Sequence, residues 1–470
     1  MKPLYQWSAT EMRQKLDSKE VKATEIVQSC LQQIEQENEQ LKAFITSCAE
    51  PALAKARAID EARSKKTPLG PLSGIPFSVK DLTPTAGIRT TLGSLIYRDW
   101  IPDQDELCVA RLKQAGGVLI GKTNTPEFGM GAHTNNRLYG PTANPYDPTR
   151  SSGGSSGGAA VAVATGMCAL SQGTDMGGSV RTPASFCGVV GLRPAAGRIP
   201  RPRKPLLCDA LDTDGIIART VEDAALMLSV MAGWDAGDSL AIAASWSLPS
   251  FNTNTIDQLT GKLRVGFSAG LGIATIDTQV EAIFEKAVEQ ISTICNNLVP
   301  EHPDCSMASA AFETLRAALL WYKQKHHYND HEDQLTETVR WNVKRGKDLT
   351  AFDVLTAAAQ RDQLYRNFLS FFETHDILVT VSACVPPFPH EQAEVLSVNQ
   401  TPLKNIIDYL AVTYTISLTG LPVVSIPCGW TPTGLPIGMQ IIAPPQGETL
   451  LLQFAYVLQE TLNFRHRWLH

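Results

Sequence analysis

Gly153-Gly-Ser155-Ser156-Gly-Gly158 and Gly173-Thr-Asp175-Met176-Gly177-Gly178-Ser179-Val-Arg181 decide how this chain is read. The two serines, Ser155 and Ser179, stand 24 positions apart, each inside a glycine cluster. Ser179 follows two glycines, whose bare backbone lets N–H groups crowd around a small oxyanion. Ser155 lies in a second tight turn, so a second hydroxyl can sit beside the first. No histidine lies near either serine in sequence. Lys80, closing the apolar run Pro76-Phe-Ser-Val-Lys80-Asp81, is instead the candidate base.

Three duller readings of Gly153–Gly158 are weighed first. A flexible linker disagrees with the apolar structure on both sides and the lack of repetition. A phosphate loop would need a following Gly-Lys-Ser/Thr, which is missing. A hydrolase elbow would need a strand directly before Ser155, and Asn144-Pro-Tyr-Asp-Pro-Thr-Arg-Ser-Ser152 reads as a loop. Taken alone, Lys80 would merely emerge into solvent. Asp175 and Arg181 read as an ion pair that holds the turn, the basic run Arg198 to Lys204 as a solvated loop or an anion-attracting rim, and His133 as a structural histidine or a pocket wall.

The 470 residues are 43% hydrophobic and 19% charged, ample for a large buried core. A net charge of −6 argues against a nucleic-acid binder. Ten cysteines form no C-x-x-C pair, and several, such as Cys168, Cys187 and Cys428, sit in apolar runs, so buried free thiols are expected. The polar N-terminus has no signal-peptide core, and no apolar run reaches about 18 residues, so a soluble, cytoplasmic protein without a membrane span is expected. No metal or cofactor is expected.

Along the chain, Ser8-Ala-Thr-Glu11 reads as a capping box opening a helix. Ile26, Val27, Cys30, Leu31 and Ile34 share one face of a second helix, and an alanine-rich helix opens at Pro51. Gly74 to Lys80 and Gly117 to Gly121 read as strands around a helix over 106–114, a rhythm that suggests an α/β core. Ala159 to Gly166 is apolar all round and predicts a helix packed inside the molecule. Residues 234–259 read as a long excursion and 306–372 as mostly helical, with Trp321, Tyr322, Trp341 and Tyr365 as pocket-lining or core aromatics. Strand-like segments recur from about 74 to 442 with no clean linker, so residues 1–470 read as one domain.

Taken together, these segments closely resemble the amidase signature family. The resemblance rests on Ser78-Val-Lys80-Asp81, Gly121-Lys-Thr-Asn-Thr-Pro-Glu127, Asn144-Pro-Tyr-Asp147, both glycine–serine segments, Gly188-Val-Val-Gly-Leu-Arg-Pro194, Gly420-Leu-Pro-Val-Val-Ser-Ile-Pro-Cys-Gly429 and Gly434-Leu-Pro-Ile-Gly-Met-Gln440. It centres on a core of about 74–194 and leaves a divergent region of about 234–360. It implies an α/β fold, a single large mixed β-sheet flanked by helices on both faces. It also implies a Ser179 nucleophile, a bridging Ser155 after a cis peptide, a Lys80 base and a supporting Ser156. The N–H groups of Met176, Gly177, Gly178 and Ser179 match an oxyanion hole, with Asp175 and Arg181 as positioners. Met176 replaces a common threonine and Gly191-Leu-Arg-Pro-Ala195 a common Lys-Pro-Thr, neither of which removes a catalytic group.

The expected function is hydrolysis of a small-molecule amide through an acyl-enzyme, without a partner protein. The alternative is the amidase component of a glutamyl-tRNA amidotransferase, which works inside a complex. A non-catalytic binding relative is disfavoured because all three triad positions are intact. Self-association and the specific amide are left open by the sequence.

Overall fold

Helices alternate along much of the chain with short strands, several of them buried at every position. The computed structural model describes residues 2–252, 254–255, 259–392 and 394–468. In chain order the elements begin with α1 (Ala9–Asp17), α2 (Ala23–Leu41), β1 (Phe44–Ser47), α3 (Ala49–Ser64), β2 (Pro76–Lys80), α4 (Leu107–Gln114) and β3 (Val118–Thr123). The central part holds α5 (Gly157–Ala164), β4 (Leu170–Asp175), α6 (Arg181–Cys187), β5 (Val190–Arg193), β6 (Thr213–Ala218) and α7 (Val221–Met231). The divergent part adds β7 (Arg264–Phe267), α8 (Thr278–Ser292), β8 (Asn297–Val299), α9 (Ala308–Asp330), α10 (Glu337–Lys344), α11 (Ala351–Thr374) and β9 (Ile377–Val381). A small hairpin of β10 (Ser397–Val398) and β11 (Thr401–Pro402) precedes α12 (Ala411–Thr419), β12 (Val423–Trp430), β13 (Pro436–Ile442) and α13 (Glu448–Leu462).

Among the described residues eleven strands form one mixed sheet, in the order β1-β3-β2-β4-β6-β5-β12-β13-β9-β7-β8. Every residue of β2, β4, β5, β6, β9 and β13 is buried, so helices cover both faces of the sheet, as the resemblance implied. The inner helix α5 is buried at all eight positions, as its all-round apolar pattern predicted. Its second residue is glycine because a Cβ on Gly158 would lie 2.4 Å from the Asn124 amide nitrogen.

Local signals explain the helix starts. Ser8 Oγ accepts the Glu11 N–H at 3.0 Å. Asp223, in the first turn of α7, then accepts the Ala9 and Thr10 N–H groups at 2.8 Å each, which joins the beginning of the chain to its middle. Thr220 caps α7 by accepting the Asp223 N–H at 3.1 Å. Pro51 sits inside α3 rather than at its start. Strands β1 and β6 and helices α6 and α12 carry no clear sequence signal. No helix among the described residues is long and apolar enough to cross a membrane. All ten cysteines are free thiols; eight are buried, Cys428 is half-buried and Cys208 is exposed.

Candidate active site

Strands β2 and β4 are parallel neighbours, with Val79 opposite Gln172, so both motif strands end at the same edge of the sheet. That edge is where α/β sheets build their sites. Lys80 ends β2 and is fully buried. Its Nζ lies 2.7 Å from Ser155 Oγ, 2.9 Å from Ser156 Oγ and 3.1 Å from Thr174 Oγ1. Burial lowers the Lys80 amine to about 7, against the opposing pull of Asp212, Asp175 and Asp214. A substantial neutral fraction is therefore present at neutral pH. The Gly154–Ser155 peptide is cis. Ser179 belongs to the turn after β4, and its carbonyl accepts the Ser156 N–H at 3.0 Å, which joins the two serine turns. Ser155 and Ser179 line the same cleft.

Asp175 organises the Ser179 turn from below. Its carboxylate accepts the N–H groups of Gly178 at 2.9 Å and Val180 at 3.0 Å, and Arg181 Nη2 at 2.8 Å. Burial alone would raise this carboxyl, but Arg181 and then Arg193 outweigh it and hold it well below the usual carboxylate range. Arg181 also donates to the Thr413 carbonyl at 2.8 Å and to Gln440 Oε1 at 3.0 Å, which ties the turn to α12 and β13. The Gly178 N–H is thus engaged by Asp175. Met176, Gly177 and Ser179 have no backbone N–H acceptor in the protein among the described residues. Gly178 has φ +122°, and a Cβ there would meet Thr413 Oγ1 at 2.5 Å, so only glycine fits.

The Amidase family matches residues 25–452 of the chain. The chain belongs to the amidase signature family. The A subunit of the glutamyl-tRNA(Gln) amidotransferase of Moorella thermoacetica is 34% identical to this amidase-family chain, covering 99% of this chain and 98% of its own length. A solved protein from a vestigial complex tied to the origins of an s-triazine catabolic enzyme is 31% identical, with a TM-score of 0.89, over 97% of this chain and 98% of its own. A bacterial aryl acylamidase reaches a TM-score of 0.90 over 98% of this chain and 97% of its own, at 24% identity, and so shows the fold.

In this amidase-family chain Ser155 and Ser179 open into a cleft of about 250 Å³, and Lys80 lies buried behind Ser155. Met176 borders the cleft, as the sequence suggested. The aromatic residues singled out between 306 and 372, left open as pocket wall or core, do not form the cleft wall. Trp321, Tyr322, Trp341 and Tyr365 are not among the cleft-lining residues, and Phe128 and, from α9, Phe312 line it instead. Trp321 packs edge-on against Tyr328, Tyr322 is 50% exposed and the Arg345 guanidinium lies 4.7 Å over the Trp341 ring. Helical period alone did not say which face of α9 turns inward.

The basic run is also corrected. Arg198 pairs with Glu448 at 3.1 Å, Arg201 with Asp212 at 2.8 Å and Lys204 with Asp238 at 2.9 Å, so the run is largely an internal ion-pair strap rather than a solvated loop. Of these, Arg201 lines the cleft. His133 is buried outside it, beside Ser151 Oγ at 2.8 Å, and burial lowers its imidazole to about 4. Sequence reasoning missed Thr174, the third hydroxyl on Lys80. It also missed Arg193, which stands 3.6 Å from Asp175 inside the quoted Gly188–Pro194 segment.

Proposed function

We propose that the chain cleaves a carboxylic amide C–N bond through an acyl-enzyme on Ser179. The carrying observation is the 2.7 Å contact between Lys80 Nζ and Ser155 Oγ at the foot of the cleft that Ser179 lines. Ser179 Oγ attacks the amide carbonyl. Its proton passes to Ser155 Oγ as the Ser155 proton passes to Lys80 Nζ. The same path returns a proton to the nitrogen, and ammonia or an amine departs. Water then attacks the ester, the acid leaves and Ser179 regains its proton. The N–H groups of Met176, Gly177 and Ser179 are assigned to the oxyanion, with Gly178 fixed by Asp175. Ser156 and Thr174 take the two N–H bonds of the neutral amine and aim its lone pair at Ser155. We read residues 1–470 as one such domain.

The sequence reading favoured an enzyme working alone. The curated relatives lend more weight to the alternative, hydrolysis by the A subunit of a glutamyl-tRNA(Gln) amidotransferase. Fluorophosphonate labelling followed by peptide mapping tests the shared chemistry, and a label on any residue other than Ser179 would sink it. Ammonia release then separates the contexts. Release from glutamine only after partner proteins are added favours the amidotransferase role, and release from simple amides by the chain alone favours the lone enzyme.

A further inference from the structure

One cation in the cleft wall has no carboxylate of its own. Phe312, Arg316 and Leu320 follow each other at four-residue intervals on α9, and all three line the cleft. Arg316 Nη1 donates to Asn342 Oδ1, and among the described residues its guanidinium forms no ion pair with a carboxylate. The other two wall cations differ. Arg201 pairs with Asp212 at 2.8 Å and Lys323 with Asp209 at 3.2 Å. Glu394 is the acid whose charge reaches Arg316, but it lies outside ion-pair distance. Burial raises that carboxyl to about 7, so its charge is partial near neutrality. Arg345 adds a like charge. Burial lowers Arg316 to about 10, so it stays cationic at neutral pH. A half-buried guanidinium short of a carboxylate is relieved by an incoming anion that its fork can bind.

The position of Arg316 sets a length. The Phe312 ring lies against the Ser179 turn, because a Cβ on Gly177 would stand 3.0 Å from Phe312 Cζ. Arg316 is one helical turn further along, a rise of roughly 5–6 Å. An acyl chain of about four or five carbons, starting from the carbonyl at the oxyanion turn, spans that rise. The charges lining the cleft set a sign. Arg201, Arg316 and Lys323 face one lining carboxylate, Asp212, which Arg201 and Lys323 already share at 2.8 and 3.9 Å. Among the described residues no lining acid is left for a substrate ammonium.

We propose that Arg316 binds a carboxylate on the acyl part of the substrate, so that the preferred substrates are mono-amides of short dicarboxylic acids bearing no ammonium. The inference rests on amide hydrolysis at Ser179. It parts from the glutamine reading at the ammonium.

Steady-state kinetics on glutaramate, glutamine and valeramide test it, with the wild type beside Arg316→Leu and Arg316→Lys. The expected wild-type order in kcat/KM is glutaramate first, ahead of valeramide by about tenfold or more. Arg316→Leu should raise KM for glutaramate, with a loss at least about tenfold larger than its loss on valeramide, and Arg316→Lys should recover part of it. Glutarate should slow fluorophosphonate labelling of Ser179 in the wild type and not in Arg316→Leu. Equal wild-type rates on valeramide and glutaramate, faster turnover of glutamine than of glutaramate, or equal glutarate protection in both proteins would overturn the proposal. A protein that labels at no Ser179 fails the hydrolase reading itself. Calorimetric titration of glutarate into wild type and Arg316→Leu still decides the Arg316 assignment in that case, with binding lost in the variant expected and unchanged binding refuting it.

Discussion

The floor of the cleft and its outer wall are held together differently. On the floor, Lys80 Nζ meets three hydroxyls, and the Asp175 carboxylate pins the backbone of the Ser179 turn while Arg181 anchors it to two distant elements. Lys80, Asp175 and Arg181 are fully buried and each is held by several partners at once, which leaves little freedom to repack. On the wall, long side chains project from one face of α9 and from the strap before β6, and they pair with carboxylates or, at Arg316, with an amide oxygen. A floor built this way keeps its geometry whatever the acyl group is. A wall built this way can change its preference by exchanging one side chain.

Substitutions can break this contrast, the largest effect falling on the floor. Ser179→Ala should abolish turnover and labelling, a loss of at least about 10³-fold. Lys80→Ala should cut kcat by about 10²–10⁴-fold, the scale of a removed general base. Near-normal rates in that variant would detach the lysine from the chemistry.

Asp175→Asn probes the floor through stability. It leaves Arg181 and Arg193 buried without their carboxylate, and chemical denaturation should report a loss of about 3–5 kcal/mol. A variant as stable as the parent would show that the turn does not depend on the pair.

The pH profile sharpens the contrast from the side of charge. The proposed base works only when neutral, so kcat/KM should rise with pH through about 7 as Lys80 loses its proton. Asp212 favours the charged form, so Asp212→Asn should move the rising limb to lower pH. A limb that stays in place, or moves upward, would contradict this electrostatic account. The smallest effect belongs to the aromatic residues outside the cleft. Trp341→Phe should leave KM within about twofold, whereas Phe312→Ala should change it several-fold. Equal effects would mean that the wall is drawn wrongly.

The floor was legible because its residues are written in contiguous motifs in which glycine and serine spacing follows from close backbone approach. Asp175 and Arg181 could be paired from a separation of six positions. Thr174 could not be singled out, since a strand threonine has many other uses. The sheet was legible where runs were apolar, as in β2 and β3. Helix α12, Ala-Val-Thr-Tyr-Thr-Ile-Ser-Leu-Thr, is rich in β-branched residues that favour strands, and its burial at all nine positions overrides that preference. Helix α6 holds Pro183 at its third position, in the first turn where a missing N–H costs little, yet so short a segment leaves no periodic trace. The wall was illegible for a different reason. In α9, aromatic and charged residues occur on every side, so composition could not tell Phe312 from Trp321.

The bond from Asp223 to the start of α1 has a consequence for how the protein is made. Its acceptor lies 214 residues beyond the first donor it serves. At roughly 5–20 residues per second, the ribosome delivers that carboxylate about 10–40 s after the helix has been synthesised. Over that interval Ser8 is the nearest cap the nascent helix has, so α1 holds a local cap long before its distant one arrives.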